Sequence, residues 1–277
     1  MNSTWKAVVR LSRPSNVLIG MLSVFIAAAI TGTVSPVRKV LLASLSAGLI
    51  TAAANTINDF FDVEIDRVNK PGRPLPAGWM SPLQARNLAL TEFVLGWLLA
   101  AGINSWAVRI AISVSVLLYF YSARLKRTPL WGNLAVSLAS ALAFVYGGVA
   151  VNRVRQTLVP AAFAFFYHLG REVIKDIQDM EGDARQGART FPLRFGQKAA
   201  LQLVTGIYLL LSVLILLPFW AKWYGLRYLM VCVVGIYPVL AYVLVRIWRD
   251  RSFTSLELVS NLLKADMLVG LLAVYLG

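Results

Sequence analysis

Long apolar runs separated by short polar interruptions fill the chain. Nine of them approach or reach the ~20 apolar residues that a helix needs to cross a bilayer core. They cover about 15–33, 38–60, 83–103, 106–122, 130–151, 156–174, 197–219, 225–246 and 256–276. Pro36, Pro129 and Pro160 fall at or near the starts of such runs, where a missing backbone N–H does little harm. Two connections are longer and more polar, about 62–82 and 175–196, and both are expected to be loops of the kind that carry binding residues. The pattern predicts an all-α polytopic membrane protein of about nine transmembrane helices, with residues 1–277 forming one domain.

Composition supports that picture. The chain is 58% hydrophobic and 14% charged, against roughly 45–50% and about 25% for soluble domains. The net charge of +14 does not imply a nucleic-acid partner, because Lys and Arg are scattered in short groups between apolar runs rather than gathered in a basic stripe. With the N-terminus placed in the cytoplasm, 19 Lys and Arg residues fall on the inner side and seven on the outer side. That asymmetry predicts this orientation, in a cell membrane whose anionic lipids meet the basic loops. It also puts both long polar connections on the cytoplasmic side. The single cysteine, Cys232, is expected to be buried and inert. No removable signal peptide is expected at the basic N-terminus.

The acidic residues carry the chemistry. Of 13 in the chain, eight lie in two windows, 58–66 and 175–183. Both windows read D-x-x-D-x-E-x-D, and each follows an apolar run. The repeat predicts two pseudo-equivalent halves. On a continuous helix, positions i, i+3 and i+7 share an arc of roughly 60°. Asp59, Asp62 and Asp66 would then line one face, and Asp176, Asp179 and Asp183 another. Glu64 and Glu181 fall off these faces, solvated or paired with Arg. Carboxylates crowded at membrane depth repel and are costly to desolvate, so a cation is required. Oxygen-only clusters suit Mg²⁺, which is usually shared between carboxylates, water and substrate phosphates. The six aspartates are therefore expected to hold Mg²⁺ on a diphosphate and to be the catalytic residues.

Basic residues accompany the windows. Arg67, Lys70 and Arg73 follow the first, Arg171 and Lys175 precede the second, and Arg124, Lys126 and Arg127 lie on a short loop of the same side. Guanidinium forks and ammonium point charges bind phosphate. Lys264 and Asp266 are intramembrane charges and hence functional candidates, with their partners left open. A cation-coupled transporter, with an ion site in broken helices, is the alternative of another class.

Asn58-Asp59-x-x-Asp62-x-x-x-Asp66, followed by Arg67-x-Asn69-Lys70-Pro71-x-Arg73-Pro74, resembles the first signature of the UbiA superfamily of intramembrane prenyltransferases. Tyr167-x-x-x-Arg171-x-x-x-Lys175-Asp176-x-x-Asp179-x-x-x-Asp183 resembles the second, and Arg13-Pro14-x-Asn16 and Tyr121-Ser122-x-x-x-Lys126-Arg127 fit as well. The resemblance covers essentially the whole chain. It implies nine transmembrane helices around a central cavity, with both motifs at its cytoplasmic end. It also implies that Asn16, Asn58, Arg67, Lys126, Tyr167, Arg171 and Lys175 bind substrate. The donor would be a prenyl diphosphate. The stretch 170–183, with Gly187-x-Arg189-Thr-Phe-Pro192, is most similar to geranylgeranylglycerol-phosphate geranylgeranyltransferases, which implies a lipid acceptor; branches using an aromatic acceptor share the chemistry.

Overall fold

The computed structural model describes residues 3–185 and 187–277; the side chains of Ser3 and Asn69 lie outside that description. The described residues are helices joined by turns and loops, with no strand among them. The chain divides into two compact units: Met1–Leu125 with Leu142–Thr157, and Lys126–Ala141 with Leu158–Gly277.

The first unit holds α1 (Ser3–Ser12), α2 (Pro14–Ala29), α3 (Val37–Phe61), α4 (Val63–Asn69), α5 (Pro82–Ala101) and α6 (Ser105–Ala123). Pro14 takes the first helical position of α2, where its fixed φ is already helical. Ser81 and Gln84 close a capping box on α5, with Pro82 just inside it. The unit's core is rich in small residues, among them Ala28, Ala43, Ala53, Ala89 and Ala100. Small residues let helices approach closely where lipid provides no hydrophobic drive. A Cβ on Gly147 would sit 2.3 Å from the Val24 carbonyl oxygen. Ser46 adds a polar tie, donating to the Gly96 carbonyl at 2.8 Å and sharing a 2.9 Å hydrogen bond with Tyr146.

α7 (Trp131–Ala150) gives its first turns to the second unit and its last turns to the first. The second unit continues with α8 (Leu158–Arg185), α9 (Phe191–Phe195), α10 (Gln197–Trp220), α11 (Leu226–Val231), α12 (Tyr237–Arg249) and α13 (Phe253–Leu276), with one wide π turn, Cys232–Ile236, between α11 and α12. Its core uses larger side chains, including Ile174, Leu201, Tyr208, Leu211, Tyr228 and Leu240. Cys232 is buried and unpaired, as expected.

All nine predicted stretches coincide with helices. By length and apolarity, six of the described helices could cross a membrane, or seven if α1 and α2, bent by 47°, count as one. α5 and α8 fall short because α5 carries Gln84, Arg86, Asn87 and Glu92, and α8 carries Arg171, Glu172 and Lys175. Two further expectations are corrected. The connection expected at 175–196 is helical as far as Arg185. A helix of 28 residues is ~42 Å long at 1.5 Å per residue, so α8 outruns a ~30 Å bilayer core and its last polar turns need no loop. The first motif does not lie on one continuous helix, because α3 ends at Phe61 and Asp62 (φ −95°, ψ 0°) caps it before α4 begins.

Candidate active site

In the first unit the site starts at a bend. Arg13, between α1 and α2, has φ 52° and ψ 75°, a left-handed conformation uncommon outside glycine. Strained backbone of this kind persists only where its surroundings hold it. Here Asn55 of α3 donates to the Ser12 carbonyl at 2.9 Å, and Arg13 Nη2 lies 2.5 Å from Asp59 Oδ1. Arg73, on the loop after α4, completes the arrangement. Its Nη1 lies 2.5 Å from Asp66 Oδ2 and 3.4 Å from Asp59 Oδ1. Arg73 therefore bridges two carboxylates that the break at Asp62 has put on different helices. Asn58 donates to Asp62 Oδ2 at 3.0 Å.

Asp59 and Asp66 are buried. Burial pushes the Asp66 carboxyl above its ordinary value, Arg73 pulls it back, and Asp59 and Asp62 push it further up. Burial also works against the charge on Arg73, but Asp59, Asp66 and Asp62 outweigh it and hold the guanidinium more firmly protonated. The first-motif aspartates are thus close enough to repel one another.

A cavity of about 470 Å³ opens here, lined by Arg10, Arg13, Asp59, Lys70, Gly72, Arg73 and Pro74. Four cations face one carboxylate. Arg13 and Arg73 are committed to the acids, whereas no carboxylate among the described residues pairs with Arg10 or Lys70. Arg10 rests over the Trp79 ring, 4.7 Å from its centre, and α1 packs beneath it through Ala7 and Leu11 against Leu75, Met80 and Ala85. Such a pocket is built for an anion. Of the expected substrate-binding residues of this unit, Asn58 lies beside Asp62. Arg67 instead turns outward to an exposed pair with Glu64 at 2.9 Å, and Asn16 sits half-buried on the first turn of α2.

In the second unit α8 is continuous through the motif, so Asp176, Asp179 and Asp183 share one helix at i, i+3 and i+7. Asp176 accepts from Asn133 of α7 at 2.9 Å; Asp179 is exposed and Asp183 half-buried. Glu181 pairs outward with Arg185 at 2.6 Å, as its position off that face predicted. Tyr167 donates its hydroxyl to Asp266 at 2.9 Å and to the Leu263 carbonyl at 3.0 Å, which supplies the partner left open for Asp266. Arg171 and Lys175 both bond Glu172. Lys126 lies on the 3-10 turn Leu125–Arg127.

The donor set suits a hard cation: every candidate ligand is a carboxylate oxygen, and those of the first motif repel one another. Among the described residues no three His, Cys, Asp or Glu side chains converge on one point. Asp59 and Asp66 are turned onto Arg13 and Arg73 instead. Sequence reasoning missed Arg10, Glu172 and Asn133. It had a signal for Glu172, which is one of only 13 acids and lies inside an apolar run beside Arg171.

The sequence profile of the UbiA prenyltransferase family matches residues 17–261. The digeranylgeranylglyceryl phosphate synthase of Methanopyrus kandleri is 37% identical over 269 residues, 97% of each chain. A solved structure of digeranylgeranylglyceryl phosphate synthase in membranes is 30% identical and superposes with a TM-score of 0.80, covering 99% of this chain and 98% of that one. A UbiA homolog from Archaeoglobus fulgidus bound to GPP and Mg²⁺ is 21% identical and shares the fold with a TM-score of 0.68, covering 96% and 99%.

Proposed function

The chain belongs to the UbiA prenyltransferase family and is an integral membrane prenyltransferase; on that premise we propose that it joins a geranylgeranyl group to the hydroxyl of geranylgeranylglyceryl phosphate, in ether-lipid synthesis. Family membership overturns the transporter alternative. The aromatic acceptor draws no support from relatives whose names carry a glyceryl phosphate.

The observation that carries the proposal is the cationic pocket around Asp59, whose uncommitted Arg10 and Lys70 suit phosphate oxygens. Asp59, Asp62 and Asp66 in one unit, and Asp176, Asp179 and Asp183 in the other, would supply oxygen ligands to Mg²⁺ on the donor. Bound there, Mg²⁺ would neutralise the diphosphate and favour its departure. Arg13 and Arg73 hold the first-motif acids in place and, with Arg171 and Lys175, stabilise negative charge that grows as the allylic C–O bond breaks. The diphosphate leaves with the bonding electron pair. The acceptor oxygen forms the new C–O ether bond as its proton passes to a carboxylate oxygen of the site. The apolar helices keep water from the cationic carbon. The excess of Lys and Arg on one side supports an N-terminus and active-site opening on the cytoplasmic face of the cell membrane.

The test offers radiolabelled geranylgeranyl diphosphate and Mg²⁺ to purified protein in detergent, with geranylgeranylglyceryl phosphate and 4-hydroxybenzoate in separate reactions. Label in the glycerol phosphate product alone is the expected result. Label in the aromatic product alone would overturn the acceptor and keep prenyl transfer.

A further inference from the structure

Glu172 lies between the two basic residues that precede the second aspartate motif, and its side chain is 8% exposed. Both of its oxygens are used. Oε1 accepts from Arg171 Nη1 at 3.0 Å and from Lys175 Nζ at 3.3 Å, and Oε2 accepts from Lys175 Nζ at 3.1 Å. Neighbours at i and i+1 do not face each other on a helix, so the bond between Arg171 and Glu172 requires the guanidinium to swing round the helix. A second contact holds it there: Arg171 Nε donates to the Ser260 carbonyl of α13 at 3.2 Å. The same two helices are tied by Tyr167 to Asp266 and the Leu263 carbonyl.

We infer that Glu172 is a positioning residue for prenyl transfer: one buried carboxylate fixes Arg171 and Lys175 as a rigid pair whose remaining N–H donors meet substrate phosphate. The inference rests on the proposal that these two cations bind phosphate. Glu172 occupies only part of the donor set of each cation, so N–H groups of Arg171 and Lys175 are left to meet phosphate oxygens. Guanidinium and ammonium groups on long stems lose much of their value as transition-state ligands when they wander, and a misplacement of about 1 Å can cost on the order of 100-fold in rate. Glu172 removes that freedom without touching the reacting atoms. In a purely structural role it would stabilise the helix pair and leave turnover per folded molecule unchanged.

The experiment compares wild type, Glu172→Gln, Glu172→Asp, Lys175→Gln and the double variant Glu172→Gln/Lys175→Gln. It uses the 277-residue protein in detergent with Mg²⁺, geranylgeranyl diphosphate and geranylgeranylglyceryl phosphate, and kcat, donor KM and Tm are measured separately. In Glu172→Gln both cations remain but are unanchored. Its kcat should fall by at least about 10-fold while donor KM changes by less than about threefold, the pattern of an interaction made in the transition state. Glu172→Asp, which keeps the charge on a shorter arm, should lie between Glu172→Gln and wild type, and it carries the test if the Gln variant does not fold. Because Glu172 acts through Lys175, the losses in the double variant should be less than the product of the single losses. A folded Glu172→Gln enzyme with wild-type kcat, or an Asp variant no better than Gln, would overturn the inference. Wild-type protein without transfer would count against the proposed function instead.

Discussion

Arg73 bridges α3 and α4, and its removal should unfasten the first aspartate motif. Its guanidinium reaches Asp66 at 2.5 Å and Asp59 at 3.4 Å, and the Asp66 side chain is only 5% exposed. Removing one partner of a fully buried ion pair costs about 3–5 kcal/mol. The Arg73 side chain is 27% exposed, so water can partly replace it in Arg73→Ala, and the cost falls to about 2–3 kcal/mol. That corresponds to roughly 30–150-fold in the ratio of folded to unfolded protein. Arg73→Lys keeps one charge but loses the fork and should recover only part of the loss. The assay is unfolding by SDS in mixed micelles, without Mg²⁺ or diphosphate. The sign of the pH dependence follows from Asp66. Its carboxyl already stands above its ordinary value, through burial and the neighbouring aspartates. Losing Arg73 removes what holds it down, so the ionised form becomes costlier in the folded protein. The defect should therefore be fully present above the raised value and should shrink as the pH falls towards the ordinary carboxylate range. An Arg73→Ala protein that unfolds at the wild-type SDS fraction at neutral pH would refute the claim that this bridge secures the motif.

Two glycines test the helix packing, one in each unit. Gly147→Ala would place a methyl group 2.3 Å from the Val24 carbonyl oxygen and 2.7 Å from Ala27 Cβ. Backbone cannot move aside cheaply, so a loss of about 3 kcal/mol or more in the same SDS assay is expected. Gly170→Ala would bring Cβ to 2.3 Å from Cε1 of the fully buried Tyr208. It should cost about 1–3 kcal/mol and lower activity by displacing Arg171, and Tyr208→Leu in the same chain should restore stability by opening the space.

The helices were legible because lipid imposes a length and an apolarity on each span, and all nine stretches read from the pattern are helical. The aspartates were legible because acids are scarce in such a chain and recur at one spacing. Arg13 and Arg73 were visible within the family motifs, but their partners were not. Pairing Arg13 with Asp59 spans 46 residues and depends on a left-handed bend that no local propensity announces. The break at Asp62 was hidden because the D-x-x-D-x-E-x-D spacing fits an unbroken helix equally well. In α8 the same spacing does lie on one helix. Arg67 was expected at the substrate because it follows the motif, yet Glu64 three residues earlier holds it in an exposed pair. Glu172 was passed over because its neighbours Arg171 and Lys175 drew attention to themselves, although an acid inside an apolar run needs an explanation of its own.

The most direct test of a metal-dependent transferase built on two aspartate motifs is a single transfer assay. Wild type, Asp62→Asn and Asp179→Asn are given radiolabelled geranylgeranyl diphosphate and geranylgeranylglyceryl phosphate, with Mg²⁺ and then with chelator. Ether product is expected from wild type with Mg²⁺ only, with a loss of at least about 100-fold in either variant, since each removes a charged oxygen from the site that stabilises the leaving diphosphate. Transfer that survives the chelator, or that proceeds at the wild-type rate in either folded variant, would contradict that expectation.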